Sequence, residues 1–261
     1  MKKLNLITTL LALLIVLFGC KKETPKETPT CSFVYSAWTA CSNNIQTRTY
    51  TSSPSGCTGT PPADSTQRSC VFRKIGNQIW TLKNLDVATY RNGDVILQAK
   101  NGNDWGIAGV LKIGAWCYYD NDSSNGTTYG KLYNWYAVND SRGLAPTGYH
   151  IPTDAEWTTL TTYLGGAPFA GRKMKESGTS HWRIEQFTDA TNSSGFTGLP
   201  GGYRDDIDGH FGHMNAYGFW WSSSEFNTGN AWSRDLCYAF DSAGWHNDSK
   251  QNGYSVRCIK D

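Results

Sequence analysis

The sequence predicts an α+β fold with much irregular structure, preceded by a small β module that disulfides hold together. The chain has 11 tryptophans, 14 tyrosines and 27 glycines, a composition typical of loop-rich extracellular folds whose core volume comes from aromatic side chains. Four of its eight cysteines fall between Cys31 and Cys70. The longer remainder carries little periodic helix among short strand and turn signals.

The chain begins with a short apolar leader. Lys2 and Lys3 precede an uncharged run from Leu4 to Phe18, which is too short for a comfortable membrane span and suits the h-region of a signal peptide. The ending L-F-G-C resembles the lipobox of bacterial lipoproteins, which implies removal of residues 1–19 and lipidation of Cys20. An ordinary secretory signal with a chance cysteine is the alternative.

Residues 20–30 are expected to form a flexible tether. The stretch K-K-E-T-P-K-E-T-P-T after Cys20 has no apolar side chain to bury, so it cannot offset the entropy of ordering itself. Lys21, where aspartate could stand, resembles lipoproteins that are sent on to the outer membrane. We therefore expect a lipid-anchored protein of the bacterial outer membrane, with exposure at the cell surface left open.

The charge distribution argues against nucleic acid as a partner. The formal net charge is +2, and no cluster of Lys and Arg stands outside the leader and the tether. A nucleic-acid-binding domain would present a basic stripe or patch.

Residues 31–70 are too few to build a sufficient core alone, so two disulfides are expected there. The four cysteines allow three pairings. The pattern C-S-F-V-Y-S-A-W-T-A-C and the arginines that follow it resemble a thrombospondin type-1 module, in which tryptophan stacks between arginines. The resemblance gives these roles to Trp38, Arg48 and Arg68, and it implies the pairs Cys41–Cys70 and Cys31–Cys57. Another disulfide-stapled β module is the alternative.

Residues 71–261 contain one well-marked helix. Thr153 is a good N-cap, and Glu156 follows three residues later, which predicts a capping box. The helix would bury Trp157, Leu160, Thr161 and Leu164 and end at Gly165-Gly166. Upstream, the segment from Gly76 to Leu85 predicts strand, turn and strand.

Several motifs in order give this region a family resemblance. They include I-P-T-D-A-E-W from Ile151, W-W-S-S-S-E from Trp220 and Y-S-V-R-C ending at Cys258. The set resembles the Fibrobacter succinogenes major paralogous domain, over residue 72 to the C-terminus. The first and last motifs are also similar to formylglycine-generating enzymes, which implies a C-type-lectin-like fold.

The resemblance does not imply catalysis. Those enzymes act through a pair of cysteines just before the terminal R-C, and Asp248 to Ser255 contains none. The remaining thiols, Cys117, Cys237 and Cys258, are expected to include one structural disulfide and one inert leftover. The serines from Ser222 to Ser224 lack a G-x-S-x-G elbow. We therefore expect no enzyme.

Three segments could hold a metal. Asp120, Asp122 and Ser124 offer oxygens at alternate positions, as a calcium loop requires, with a surface turn as the alternative. The segment from Asp205 to His213 groups three carboxylates with two imidazoles, which suits a transition metal. Residues 245–248, W-H-N-D, resemble the W-N-D element of sugar-binding C-type lectins, but the E-P-N or Q-P-D partner is missing. Calcium is the candidate cofactor.

Exposed aromatic side chains are the second kind of candidate site. Tryptophan faces flanked by amides and carboxylates hold sugar rings by stacking on their C–H faces. The tryptophans beside loop-like residues are Trp105, Trp182, Trp220, Trp221 and Trp245, and filling the core is the alternative for each. The candidate ligand-binding residues are Trp220, Trp221, Trp245, Asn247 and Asp248.

The expected role of the protein is a binding head for adhesion or recognition of glycan or protein. The alternatives are a structural envelope component and, third, an enzyme related to the formylglycine-generating family.

Overall fold

The structure, a computed structural model, describes residues 30–36, 45–55, 57, 59–61, 67–69, 72–184 and 190–261. The chain divides into two compact units, Met1–Arg68 and Ser69–Asp261. Cys20, Trp38, Cys41 and Cys70 lie outside the described residues, as does the side chain of Arg68. The lipid anchor, the second disulfide and the tryptophan–arginine ladder therefore stay predictions.

The first unit is a small β module. Strand β1 (Ser32–Tyr35) pairs antiparallel with β3 (Tyr50–Ser53), and β2 (Ile45–Thr47) pairs with β4 (Gln67–Ser69). The Cys31–Cys57 disulfide is present, which confirms that prediction. The Arg48 guanidinium lies 4.1 Å from the centroid of the Tyr35 ring, so a cation–π contact exists here with a tyrosine.

The second unit combines helices and strands. Its helices are α1 (Gly102–Val110), α2 (Ser123–Tyr129), α3 (Trp135–Val138), α4 (Asp154–Tyr163) and α5 (Ala167–Met174). Its strands are β5 (Phe72–Ile75), β6 (Gln78–Thr81), β7 (Leu97–Gln98), β8 (Ala115–Cys117), β9 (Leu132–Tyr133), β10 (Tyr149–His150), β11 (Gly201–Arg204), β12 (Phe211–Met214), β13 (Tyr217–Glu225), β14 (Asn230–Cys237), β15 (Ala243–Ser249) and β16 (Ile259–Lys260). No helix within the described ranges has both the length and the apolar character needed to cross a membrane.

The largest sheet has five strands in the order β12-β11-β13-β14-β15. Its neighbours are antiparallel except β11 and β13, which pair parallel at Gly202 and Gly218. Smaller sheets have the orders β10-β16-β6-β5 and β7-β8-β9. Strand β15 is thus an edge strand, and its side chains lie at the border of the sheet.

Aromatic rings fill the core between this sheet and helices α4 and α5. The Trp80 and Trp157 ring centroids lie 4.7 Å apart. Phe196 is 5.8 Å from Trp157 and 5.8 Å from Trp220. All four side chains are fully buried. Large aromatic groups therefore supply the volume that leucines supply in other cores, as the composition predicts.

Helix α4 follows the sequence pattern closely. Thr153 Oγ1 accepts a hydrogen bond from the Glu156 backbone N–H, and the Glu156 side chain accepts one from the Thr153 N–H, which confirms the capping box. Gly165 and Gly166 have φ of 99° and 95°, conformations that glycine adopts without strain. The predicted strand–turn–strand segment is shifted, because the turn is at Gly76-Asn77 and the strands are Phe72–Ile75 and Gln78–Thr81.

Candidate ligand-binding site

The last two strands of the five-stranded sheet carry an alternating pattern. Successive side chains of a strand point to opposite faces, so Trp232 and Arg234 share one face of β14, and Trp245 and Asn247 share one face of β15. The antiparallel register puts Trp232 opposite Asn247 and Arg234 opposite Trp245. One face of the sheet border therefore carries two diagonally placed tryptophans, an arginine and an asparagine.

The two tryptophans stack on each other. Their ring centroids are 4.7 Å apart and the planes make an angle of 14°. Phe226 packs edge-on against Trp232 at 4.8 Å. The Trp245 indole N–H donates to Asp154 Oδ1 at 3.0 Å, which fixes the orientation of the ring. Trp245 is nevertheless 56% exposed, so a rigidly held indole presents apolar surface to solvent.

Arg234 forms the floor beside this indole. Its guanidinium is buried, pairs with Asp154 Oδ1 at 2.8 Å and donates to the Ser233 carbonyl at 3.0 Å. A further bond from Nη2 reaches Thr158 Oγ1 at 3.3 Å. Burial lowers the pKa of Arg234, and the hydrogen bond to Asp154 opposes that shift. The floor is thus a fixed donor group whose charge Asp154 balances.

A cavity of about 250 Å³ lies beside Trp245. Trp232 covers the ring on the side of Asn247, two residues further along β15, whereas Ala243 stands two residues before Trp245 on the same face. The Arg234 guanidinium lies over the Trp245 ring, 5.9 Å from its centroid, and the indole lines the cavity together with Ala243. The walls are Thr158, Thr161, Thr162, Ala167, Arg234, Ala243 and Trp245.

This arrangement suits a sugar ring. A flat indole face can stack on the C–H face of a pyranose, while hydroxyl and guanidinium groups around it form hydrogen bonds. The cavity is slightly smaller than the ~300–1000 Å³ of pockets that hold drug-sized ligands, which favours one sugar residue.

The structure separates the predicted ligand-binding residues. Trp245 and Asn247 lie on the face just described, and Asn247 Oδ1 accepts from Asn230 Nδ2 at 3.2 Å. Asp248 lies on the opposite face, where its Oδ2 accepts from the Ser233 hydroxyl at 2.5 Å. The W-H-N-D segment is part of an extended strand, so its side chains alternate and do not converge on one ion.

The prediction that Trp220 and Trp221 stack on a ligand is wrong. Both are 0% exposed. As neighbours on β13 they point to opposite faces, and each face is covered at that point. Trp220 packs against Phe196, and Trp221 lies 4.4 Å from Tyr254. Core filling is likewise the role of two further tryptophans, the buried Trp105 and Trp182.

The predicted calcium loop is a helix start. Tyr119–Asn121 forms a short 3₁₀ turn, and α2 begins at Ser123. Asp122 is the N-cap, since its Oδ1 accepts from the Ser124 backbone N–H at 2.9 Å. This bond lowers the pKa of Asp122. Asp120, Asp122 and Ser124 are therefore accounted for by a local turn and cap, and no calcium site follows from their geometry.

The second predicted metal segment brings three ligand groups together. Asp205, Asp208 and His210 have potential ligand atoms within 4.8 Å of one another. Each carboxylate already accepts a local backbone bond, from Ile207 to Asp205 and from His210 to Asp208. Both bonds are those of polar turns. His213 lies in strand β12, where its ring packs 4.9 Å from Tyr217.

The prediction of a disulfide among the last three cysteines is wrong. Cys117, Cys237 and Cys258 are free and buried. Cys117 packs with Trp105 and Leu132, whereas Cys258 belongs to another core cluster, with Tyr133 and Val256. Burial raises the pKa of Cys117 to about 11 and that of Cys258 to about 12. These thiols act as small apolar core groups.

Sequence reasoning missed Trp232, Arg234 and Asp154, as well as the alanines and threonines that line the cavity. Trp232 and Arg234 alternate in N-A-W-S-R-D, and Trp245 stands in A-G-W-H-N-D, so two tryptophan-bearing strands close in sequence were an available signal. Asp154 appears in the sequence as the first residue of α4. Its contact with Trp245 joins positions separated by 91 residues, and local patterns carry no information on such contacts.

Most of the second unit matches a known family. The model of the Fibrobacter succinogenes major domain matches residues 74–260. The family's description names no activity, substrate or partner. Neither the curated proteins nor the solved structures contain a match to this chain.

Proposed function

The chain belongs to the Fibrobacter succinogenes major domain family, and from that premise we propose that its family domain is a non-catalytic binding head for glycans. The exposed indole of Trp245, which lines a cavity of about 250 Å³, is the observation that carries the proposal. A large exposed indole costs solvation free energy in the free protein. A sugar ring that covers it recovers this cost.

The surroundings of the indole fit a neutral sugar. Arg234 and Asp154 balance each other's charge, so the floor offers hydrogen bonds with no net charge. Asp154 Oδ1 accepts hydrogen bonds from both Trp245 Nε1 and Arg234 Nη2, which holds these two cavity-lining side chains in place. Ring stacking with peripheral hydrogen bonds is the usual combination in sugar recognition.

The proposal includes a place in the cell and a fold relationship. The leader and Cys20 support a lipoprotein of the bacterial outer membrane, with the membrane as partner through the lipid. Residues 31–70 would form a thrombospondin type-1-like stalk. The family domain would have a C-type-lectin-like fold, as its motifs suggest. Its role would then be adhesion or recognition without calcium at the sugar.

A structural envelope component is the second candidate, and a separate surface favours it. Ile107 and Val110 on α1, and Leu111 just after it, are exposed and line a groove of about 560 Å³ together with Ile207. Such a contiguous apolar surface is typical of contacts with other proteins. An enzyme of the formylglycine-generating type is disfavoured, because its catalysis would need two cysteines in an open cleft, whereas Cys117, Cys237 and Cys258 are buried.

Calorimetric titration of the purified protein with cellohexaose, xylohexaose, mannohexaose and chitohexaose tests the proposal. We expect at least one of these neutral oligosaccharides to bind, with equal affinity in calcium and in EDTA. Trp245→Ala should weaken that binding at least about tenfold, because the stacking surface is lost.

Ile207→Ala is the matched control, since it truncates an exposed apolar side chain that lines a different groove. It should bind as the unmodified protein does. Absence of binding to every oligosaccharide, or equal affinity of Trp245→Ala, would overturn the glycan proposal and favour the structural candidate. Loss of affinity in EDTA would overturn calcium-independent binding and support a calcium-dependent site.

A further inference from the structure

The walls of the cavity beside Trp245 differ from its floor. Away from the indole and Arg234, the lining consists of two alanines and three threonines, Ala167, Ala243, Thr158, Thr161 and Thr162. Thr158 Oγ1 donates to the Asp154 carbonyl at 2.9 Å, and Thr161 Oγ1 donates to the Trp157 carbonyl at 3.2 Å. Because helix α4 uses these hydroxyl protons, what the two threonines offer a ligand is chiefly their methyl groups.

A small apolar recess thus adjoins a fixed hydrogen-bond donor. Arg234 is held by Asp154, Ser233 and Thr158, so its guanidinium is positioned before any ligand arrives. A ligand group that matches this pair of features has one methyl group and, next to it, a carbonyl oxygen without charge. The acetamido group of an N-acetylated amino sugar has both.

We propose that the site prefers N-acetylhexosamine residues over hexoses that carry a hydroxyl at C2. The sugar ring stacks on Trp245, the acetamido methyl enters the recess lined by Ala167 and Ala243, and its carbonyl faces Arg234. The inference rests on the proposed glycan binding at this cavity and deepens it by naming the sugar class. Charge balance between Arg234 and Asp154 points to the same class, since an acetamido group is neutral whereas an acidic sugar would leave its charge unmatched.

Chitohexaose and cellohexaose make a matched pair of probes, because both are β-1,4-linked and they differ only in the substituent at C2. We expect the protein to bind chitohexaose about tenfold more tightly or better, the range that one well-fitted apolar group in a pocket gives. Ala167→Leu should fill the recess from its rim. It should bring the chitohexaose affinity down to that for cellohexaose, and cellohexaose binding should change little.

Ala155→Leu is the control, as it makes the same change at an exposed position of α4 that does not line the cavity. Ala167 is also exposed and is the first residue of α5, so the substitution leaves the core intact; a thermal unfolding curve checks this. Equal affinity for both oligosaccharides, with both lost in Trp245→Ala, would overturn the acetamido preference and leave glycan binding standing. Absence of binding to both probes, with xylohexaose or mannohexaose still bound, would overturn the acetamido preference alone, and absence of binding to all four oligosaccharides would overturn glycan binding as well. A preference that survives Ala167→Leu would also overturn the inference.

Discussion

Arg257 Nε donates a hydrogen bond to Asn84 Oδ1 at 2.7 Å, across 173 positions of the chain. The same oxygen accepts the Trp220 indole N–H at 2.9 Å. The guanidinium also donates to the carbonyls of Thr81, Phe196 and Thr197, at 2.7, 3.0 and 2.9 Å. Arg257 thereby joins the beginning, the middle and the end of the family domain within its core.

Replacing this arginine should be severely destabilising. Arg257→Met keeps much of the side-chain volume but removes the donor from four acceptors, which are buried or partly buried. Such acceptors are expensive to leave unpaired, so we expect the free energy of unfolding to fall by about 3 kcal/mol or more. Urea denaturation followed by tryptophan fluorescence measures it. Arg183→Met, at an exposed position, should stay within about 0.5 kcal/mol of the unmodified protein. A small effect at Arg257 would mean that water replaces the lost bonds.

The capping box of α4 gives a second prediction. Thr153→Ala removes the acceptor of the Glu156 N–H, and loss of a threonine N-cap typically costs about 1 kcal/mol. Thr159→Ala is the control, because Thr159 is exposed and bonds only within the helix, to the Ala155 carbonyl. The two variants are compared by the same denaturation curve. Equal midpoints would contradict a capping contribution to stability.

The buried thiols give a third prediction. Cys117, Cys237 and Cys258 should resist iodoacetamide in the native protein, because burial removes access and raises the pKa of Cys117 and Cys258. All three should be alkylated once the protein is denatured in urea. Peptide mapping by mass spectrometry reads each site separately. Alkylation of Cys258 in the native protein would show that its core cluster opens readily.

His246 gives a prediction about pH. Its hydrogen bond to Asp235, at 2.8 Å, raises the pKa of His246 in the folded protein, and burial opposes the shift. Asp248 also favours the charged form, whereas Arg234 disfavours it. A raised folded-state pKa means that protonation stabilises the fold below the unfolded pKa of ~6.5, and that this stability is lost as pH rises through the folded pKa.

The measurement compares the unmodified protein with His246→Gln by urea denaturation at about pH 5.5 and about pH 8.5. The unmodified protein should be the more stable of the two at the lower pH, and the difference should shrink at the higher pH. The His246 side chain is about half exposed, so the difference should not exceed about 1 kcal/mol. A difference that is independent of pH would show that the pair contributes no proton-linked stability.

Sequence reasoning was reliable where the physical cause is local. Helix α4 could be placed because a threonine N-cap, a glutamate three residues later and two glycines at the end act within a few residues of each other. The Cys31–Cys57 bridge was implied by the resemblance of residues 31–70 to a thrombospondin type-1 module. The aromatic composition indicated what the core is made of, although it could not say which rings are in it.

The features that could not be predicted depend on the pairing register of the strands and on which faces of the sheet are covered. Trp232 meets Trp245 only because β14 and β15 pair in one particular register, and a shift by one residue would turn either ring to the other face. Trp220 and Trp221 are both buried because the sheet is covered on its two faces where they stand, which depends on residues far away in the chain. The separation of Asn247 from Asp248 follows from strand alternation, once the segment is known to be a strand.

The distribution of tryptophans also allows tryptophan fluorescence to report on the cavity beside Trp245. Trp245 is exposed, whereas every other tryptophan that the structure describes, apart from the half-buried Trp232, is buried. Among these described tryptophans, a collisional quencher such as iodide will therefore act first on the indole at the cavity. A ligand that covers this ring will protect it, so occupancy of the site can be followed in the unmodified protein by its own fluorescence, without an added label.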